Sequence, residues 1–253
     1  EVIVNVKNGY SDANKKIVLK GNNVSFVVNS NTGYDSGVVD CSNGKLNGST
    51  LTINNVQKSI TCNVTYSPIK YTIRYDSNGG TGSLKDTTHT YGVNGSLAQN
   101  SFVKDGYNFV GWSRKTGTIV DYKDKDEVIN LTSKREVVVL YAVWKPITYT
   151  IKYDLNGGTL NNSRNTYNVE SNTFNLGTPF KKGYSFIGWT GSNGESPQMN
   201  VSIQKGTIGD KKYIANYETG KFKVVYLSDK YGSITGIKEE TLKYKENPSG
   251  TTY

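Results

Sequence analysis

Few side chains in this chain of 253 residues could do covalent chemistry: one histidine, His89, and two cysteines, Cys41 and Cys62. A Ser-His-Asp or Cys-His centre would have to use His89 as its base. His89 lies in the polar stretch TTHTY (87–91), with no Gly-x-Ser-x-Gly turn nearby, and reads as a surface histidine. Two thiols and one imidazole do not complete the four-ligand set of a structural zinc. Nor does C-x₂₀-C have the spacing of a redox motif. The two cysteines are then either free thiols or a structural disulfide.

The acid-rich segment DYKDKDEVINL (121–131) invites a calcium-loop reading. Counted from Asp121, an EF-hand needs oxygen ligands at Lys123 and Lys125, Gly at Asp126 and Glu at Thr132, and all four fail. The Asn-Gly-Gly turns at 78–80 and 156–158 are not phosphate loops, because no helical pattern follows to offer an N-terminus. Carboxylate pairs for glycoside hydrolysis converge from distant strands and leave no spacing signature. No catalytic, cofactor-binding or metal-ligating residue is assigned, and no cofactor is expected.

The elements that would have to position a site carry the stronger pattern. YTIRYDSNGG (71–80) recurs as YTIKYDLNGG (149–158), and GYNFVGW (106–112) recurs as GYSFIGW (183–189). The offsets are 78 and 77 residues, so the chain is a tandem array. In the first block Tyr71, Ile73 and Tyr75 alternate with Thr72 and Arg74, the period of a half-buried strand. Asn78, Gly79 and Gly80 tolerate the positive φ of a tight reversal. In the second block Tyr107 and Phe109 are expected on one face, Val110 and Trp112 on the other. VVVLYAVW (137–144) is apolar on both faces and reads as a central strand. The predicted core is Tyr71, Tyr75, Tyr107, Phe109, Trp112 and Trp144 in one copy, and Tyr149, Tyr153, Tyr184, Phe186 and Trp189 in the other. Burying each such ring stabilises by roughly 1.5–3 kcal/mol.

The order strand-NGG, then GYxFxGW, then LYAVW resembles the internalin-B-type repeat, also called the Listeria–Bacteroides repeat. The resemblance covers residues 68–145 well and 147–217 adequately; in the second copy YIANY (213–217) stands where the first has LYAVW. It implies small β-grasp-like modules strung in series on bacterial surface proteins. In that setting segment 121–131 takes the place of a polar hairpin rather than a tag, and Asn-x-Ser/Thr triplets such as Asn23-Val24-Ser25 carry no glycosylation meaning. An exported module also favours a Cys41–Cys62 disulfide over free thiols.

The expected organisation is a divergent all-β module at 1–67 holding both cysteines, repeats at 68–145 and 146–217, and a partial further repeat at 218–253. In the first module, EVIVNVKNGYS and KKIVLKGNNVSFVV supply alternating strands, with Gly21-Asn22 as a hairpin signal. SLAQNSF (96–102) is the best helical candidate. Prolines 68 and 146 stand just before the two YTI strands and make the joints short and extended. Modules of about 70 residues bury only about 60% of their unfolded surface, so neighbour contacts matter. The 19 Tyr, 7 Phe and 3 Trp offset a modest apolar content of 35%.

The net charge of +9 is spread as +2, +3, +3 and +1 over the four segments. No stripe of the kind that phosphate backbones select is present, which speaks against specific nucleic-acid binding and leaves a general attraction to anionic surfaces. The chain shows no signal peptide, no apolar run of 18 residues and no sortase-type anchor, so a mature piece of a longer protein is expected, with export and anchor signals elsewhere. The reading is a mainly β, elongated array of small modules: a non-catalytic, monomeric stalk on a Gram-positive cell surface, able to adhere to host or wall glycans or proteins and not inserted in the membrane. The alternative is an accessory binding module of a surface enzyme whose catalytic domain lies outside these residues.

Overall fold

The computed structural model describes residues 1–227 and 239–249. Among these residues the chain is all β, with no helix. It divides into two units, one of Glu1–Lys104 with Phe109–Lys145, the other of Asp105–Asn108 with Pro146–Tyr253.

The first module has eight strands: β1 (Val2–Lys7), β2 (Gly9–Ser11), β3 (Lys15–Lys16), β4 (Val24–Ser30), β5 (Tyr34–Asp40), β6 (Gly44–Asn47), β7 (Thr50–Ile53) and β8 (Ile60–Pro68). They form two sheets, ordered β3-β1-β8-β5 and β2-β4-β7-β6. Alternate residues of β1, β4, β7 and β8 face inward, so Val2, Val4, Phe26, Val28, Leu51, Ile53, Cys62 and Val64 form the core. The expected hairpin at Gly21-Asn22 is absent. Gly21 N–H donates to Val56 O and Val56 N–H donates to Asn22 O, which ties this turn to the far side of the module. The strand before it covers only Lys15–Lys16 and leaves Ile17 and Leu19 exposed.

Repeat 1 contains β9 (Lys70–Asp76), β10 (Thr87–Thr90), β11 (Gly95–Ser96), β12 (Tyr107–Ser113), β13 (Glu127–Val128) and β14 (Val137–Pro146). Its sheet runs β10-β9-β14-β12, with β9 and β14 parallel at the centre; β11 and β13 pair separately. Tyr71, Ile73 and Tyr75 point into the core, while Arg74 points out to Asp86. The expected helix at 96–102 does not form. A segment this short cannot repay helix nucleation, and Leu97 and Phe102 are drawn into the core instead. Asn100 closes the loop on itself, its Oδ1 accepting from Phe102 N–H and its Nδ2 donating to Phe102 O.

Repeat 2 contains β15 (Tyr149–Asp154), β16 (Thr166–Tyr167), β17 (Phe174–Asn175), β18 (Tyr184–Gly191), β19 (Gly194–Gln198), β20 (Ser202–Ile203) and β21 (Lys211–Thr219). Its sheet runs β16-β15-β21-β18-β19, again with the first and last long strands parallel. β22 (Lys221–Val225) and β23 (Glu239–Lys243) then make an antiparallel pair. Much of the loose repeat expected at 218–253 lies outside the described residues.

The faces of the GYxFxGW strand differ from strict alternation. In repeat 2 Phe186 pairs with Tyr217, but Gly188 pairs with Asn216, so Ile187 is an extra residue. This β-bulge turns Trp189 to the same face as Phe186, with their rings 5.4 Å apart. The glycine that follows the extra residue has φ 132° in repeat 2 and 148° in repeat 1, values that a side chain would resist. Trp112 accordingly shares a face with Phe109, at 4.9 Å, and Val110 is left outside.

Candidate functional site

His89 is not on the surface. It pairs with Tyr71 across β9 and β10, is 6% exposed, and stacks on the Tyr71 ring at 5.7 Å. Its Nε2 lies 3.1 Å from Thr87 Oγ1, which lies 3.1 Å from Tyr75 Oη. Burial depresses the His89 pKa below its usual value. A hollow of about 290 Å³ opens beside it, but no acidic side chain lines that hollow to orient the imidazole as a base. The expectation of an exposed position failed because Thr88 and Thr90 mask the strand period: polar residues flank a ring that fills the slot of Tyr167 in repeat 2.

Cys41 and Cys62 form a disulfide, with Cα atoms 4.8 Å apart, joining the end of β5 to its neighbour β8. The three aspartates of segment 121–131 serve separate local donors. Asp121 accepts from Ser113 Oγ and Arg114 N–H, Asp124 from Asn100 N–H, and Asp126 from Lys123 N–H. The Arg114 amide and the Ser113 hydroxyl hold the Asp121 carboxyl below the usual range. Among the described residues, no three His, Cys, Asp or Glu side chains are grouped to hold a metal ion.

The Asn-Gly-Gly turns are staples. Asn78, at φ 47°, takes its N–H to Asp76 Oδ1 and its Nδ2 to Ala142 O on the parallel strand β14. Asn156 repeats both bonds with Asp154 and with Ala215 on β21. The turn therefore fastens β9 or β15 to its parallel partner before the chain returns as the antiparallel β10 or β16, the front hairpin of each repeat.

The predicted aromatic residues fall into three settings. Tyr71, Tyr75, Trp112 and Trp189 are buried. Phe109 and Trp144 in repeat 1, with Tyr149, Tyr153 and Phe186 in repeat 2, are half-buried against those cores. Tyr107 and Tyr184 lie outside both clusters; the Tyr107 hydroxyl donates to Glu170, and the Tyr184 ring meets Tyr244 edge-on. Tyr217 takes the place in repeat 2 that Trp144 has in repeat 1, against Phe186 as Trp144 is against Phe109.

A cavity of about 610 Å³ sits in repeat 1, at the loop holding Arg114, Lys115, Ile119 and Asp121. At the same point in the chain, repeat 2 runs β18 directly into β19, so the two copies differ there.

Residues 71–143 and 149–215 match the Listeria–Bacteroides repeat domain, and together they span more than half of the chain. The chain belongs to this repeat family. Similar proteins include two from Evansella cellulosilytica. One is named as a Gly-rich membrane protein and is 28% identical over 123 residues, covering 47% of this chain and 14% of the relative. The other, named as a membrane protein, is 28% identical over 120 residues, with 47% and 17% covered. The chain thus spans less than a fifth of the length of these relatives. No helix among the described residues is long and apolar enough to cross a membrane.

Proposed function

We propose that this chain is a non-catalytic repeat segment of a bacterial cell-surface protein, of the internalin-B type, working outside the cell as a semi-rigid spacer that also adheres to host or wall glycans or proteins. One observation carries the reading. What the two repeats have in common is the scaffold: the stapled Asn turn, the positive-φ glycine before the central tryptophan and the aromatic centre. Clefts are not held in common, since the cavity at Arg114 faces a different chain path in repeat 2. A repeated scaffold with unrepeated surfaces suits a part whose job is length and presentation. The membrane-protein names of the two relatives fit a surface location.

Small-angle scattering tests the spacer. A compact globule of 253 residues has a radius of gyration of about 18 Å. The expected value is well above that, with a distance distribution tailing to several module diameters; a compact, symmetric distribution refutes the reading. The cavity beside Arg114 and Lys115 favours a second reading, an accessory binding module for an anionic glycan. Specific retention of such a glycan, lost in Arg114→Ala, would select it.

A further inference from the structure

Three Gly-Tyr turns in the molecule share one arrangement, and two of them open the GYxFxGW blocks. In the first unit, Gly33 precedes β5 with φ 83°, and its carbonyl accepts the Ile69 N–H at 2.9 Å. The Ile69 carbonyl in turn accepts the Tyr91 N–H at 3.0 Å. Any Cβ on Gly33 would run into the Tyr91 ring, which also meets the Tyr34 ring edge-on at 5.8 Å. In the second unit, Gly183 precedes β18 with the same φ of 83°. Its carbonyl accepts the Gly220 N–H at 2.9 Å, and Gly220 O accepts the Tyr244 N–H at 2.9 Å. A Cβ there would run into the Tyr244 ring, which meets Tyr184 edge-on at 5.7 Å.

The second unit holds one more instance. Gly106, at φ 76°, accepts the Ile147 N–H at 2.9 Å, and a Cβ on it would run into Val169. Here the edge-on ring is replaced by a hydrogen bond from Tyr107 to Glu170, at 3.0 Å.

The partners occupy one structural position. Ile69, Ile147 and Gly220 each stand two residues ahead of Tyr71, Tyr149 and Phe222. Tyr91, Val169 and Tyr244 each stand two residues after the strand partner of those residues, which is His89, Tyr167 or Leu242. The same end of a front hairpin therefore meets the same turn three times, although the hairpin sequences share little there. Chance packing does not repeat a backbone bond and a glycine contact at matched positions three times, with the second bond of the clasp present in two of them.

We propose that the positive-φ Gly-Tyr turn is a docking socket, and that its occupant is the front hairpin of the module that follows it in the chain. The socket reads shape and backbone. It offers one carbonyl, a surface without Cβ and a tyrosine ring, and it takes an extended linker residue plus a flat or branched side chain. Only glycine suits the turn, because a β-carbon would both oppose the φ and occupy the seat of the incoming side chain. Arg135 reinforces the first joint through a paired contact with Asp35, with both side chains substantially exposed. The inference deepens the spacer reading and rests on it only for the purpose of the joint.

Amide hydrogen exchange on the full chain tests it. In the intact protein the Ile69, Tyr91, Gly220 and Tyr244 amides should be protected. Gly33→Val should speed exchange at Ile69 and Tyr91 by about tenfold or more, and Gly183→Val should do so at Gly220 and Tyr244. The Ile73 and Ile151 amides should stay as protected as before. Where a valine variant also exposes these core amides, Tyr91→Ser and Tyr244→Ser decide, since they remove the seated ring and leave the turn intact. Unchanged exchange at the joint amides in the serine variants overturns the proposal. An extended chain in scattering with unprotected joint amides would keep the spacer and refute the socket; a compact chain with protected amides would do the reverse.

Discussion

Repeat 1 and repeat 2 surround the same aromatic centre, but they satisfy its polar edges at opposite ends. In repeat 2 the central Trp189 donates its Nε1 to Gly177 O at 3.1 Å, whereas the Nε1 of Trp112 in repeat 1 is buried without a partner among the described residues. At the closing position the relation is reversed. Trp144 donates to Ser77 O at 2.8 Å, while the Tyr217 hydroxyl is buried without a partner. Leaving a buried donor or hydroxyl unmade costs about 1–3 kcal/mol, and burying the ring that carries it returns a similar or larger amount. At these two positions each copy therefore carries one orphan polar atom and still folds. What the family plan demands at these positions is aromatic bulk, and the hydrogen bond is an option taken at one end or the other.

Truncating the centre should have the largest effect. Trp112→Ala or Trp189→Ala is expected to destabilise its own repeat by about 3–5 kcal/mol, read from urea unfolding followed by the remaining tryptophans. A Trp112→Ala protein that unfolds normally but loses a ligand would make this ring a binding platform. The phenylalanine variants sharpen the contrast. Trp189→Phe should cost about 1 kcal/mol more than Trp112→Phe, because only the former strands a carbonyl.

At the closing position the expected effects are smaller and opposite in sign. Trp144→Phe loses the bond to Ser77 and some volume, and should destabilise by about 1–2 kcal/mol. Tyr217→Phe removes a buried hydroxyl that bonds to nothing described, and should be neutral or stabilising by about 1 kcal/mol. Equal losses at both sites in thermal melts would show that the hydroxyl finds a partner, and the comparison would fail.

The smallest effects concern the ring that pairs with the first tyrosine, His89 in repeat 1 and Tyr167 in repeat 2. Burial lowers the His89 pKa from its ordinary 6.5. As pH falls through that value the unfolded chain takes up the proton first, so the stabilisation is whole above about 6.5 and shrinks below it. Burial pushes Tyr167 up from 10.0 to about 12. There the unfolded chain loses its proton first, so the stabilisation is whole below pH 10 and is lost between 10 and about 12. Tyr153 and Tyr213, also raised by burial, add to the alkaline loss in repeat 2. Melts between about pH 5 and 7.5 should soften repeat 1 alone, and His89→Tyr should abolish that step. Equal acid sensitivity in both repeats would remove His89 from the account.

The tandem period, the mainly β class, the inward alternation of Tyr71, Ile73 and Tyr75, and the central strand at 137–144 were legible from the chain alone. Each is a local or self-similar property: side-chain alternation needs only its own strand, and a repeat needs only comparison with itself. The face of Trp112 was not legible. It depends on a bulge, and a bulge is defined by a partner strand one residue shorter. The burial of His89 was hidden for the same reason, since its neighbours are threonines and its stacking partner Tyr71 lies 18 residues away. The helix expected at 96–102 lost to a core that needed Leu97 and Phe102 in an irregular loop. The joints show the division most clearly. The chain displays Gly-Tyr pairs and short linkers, but only folding brings Gly33 beneath Tyr91 and Gly183 beneath Tyr244, because contacts between distant segments are set by sheet order and register.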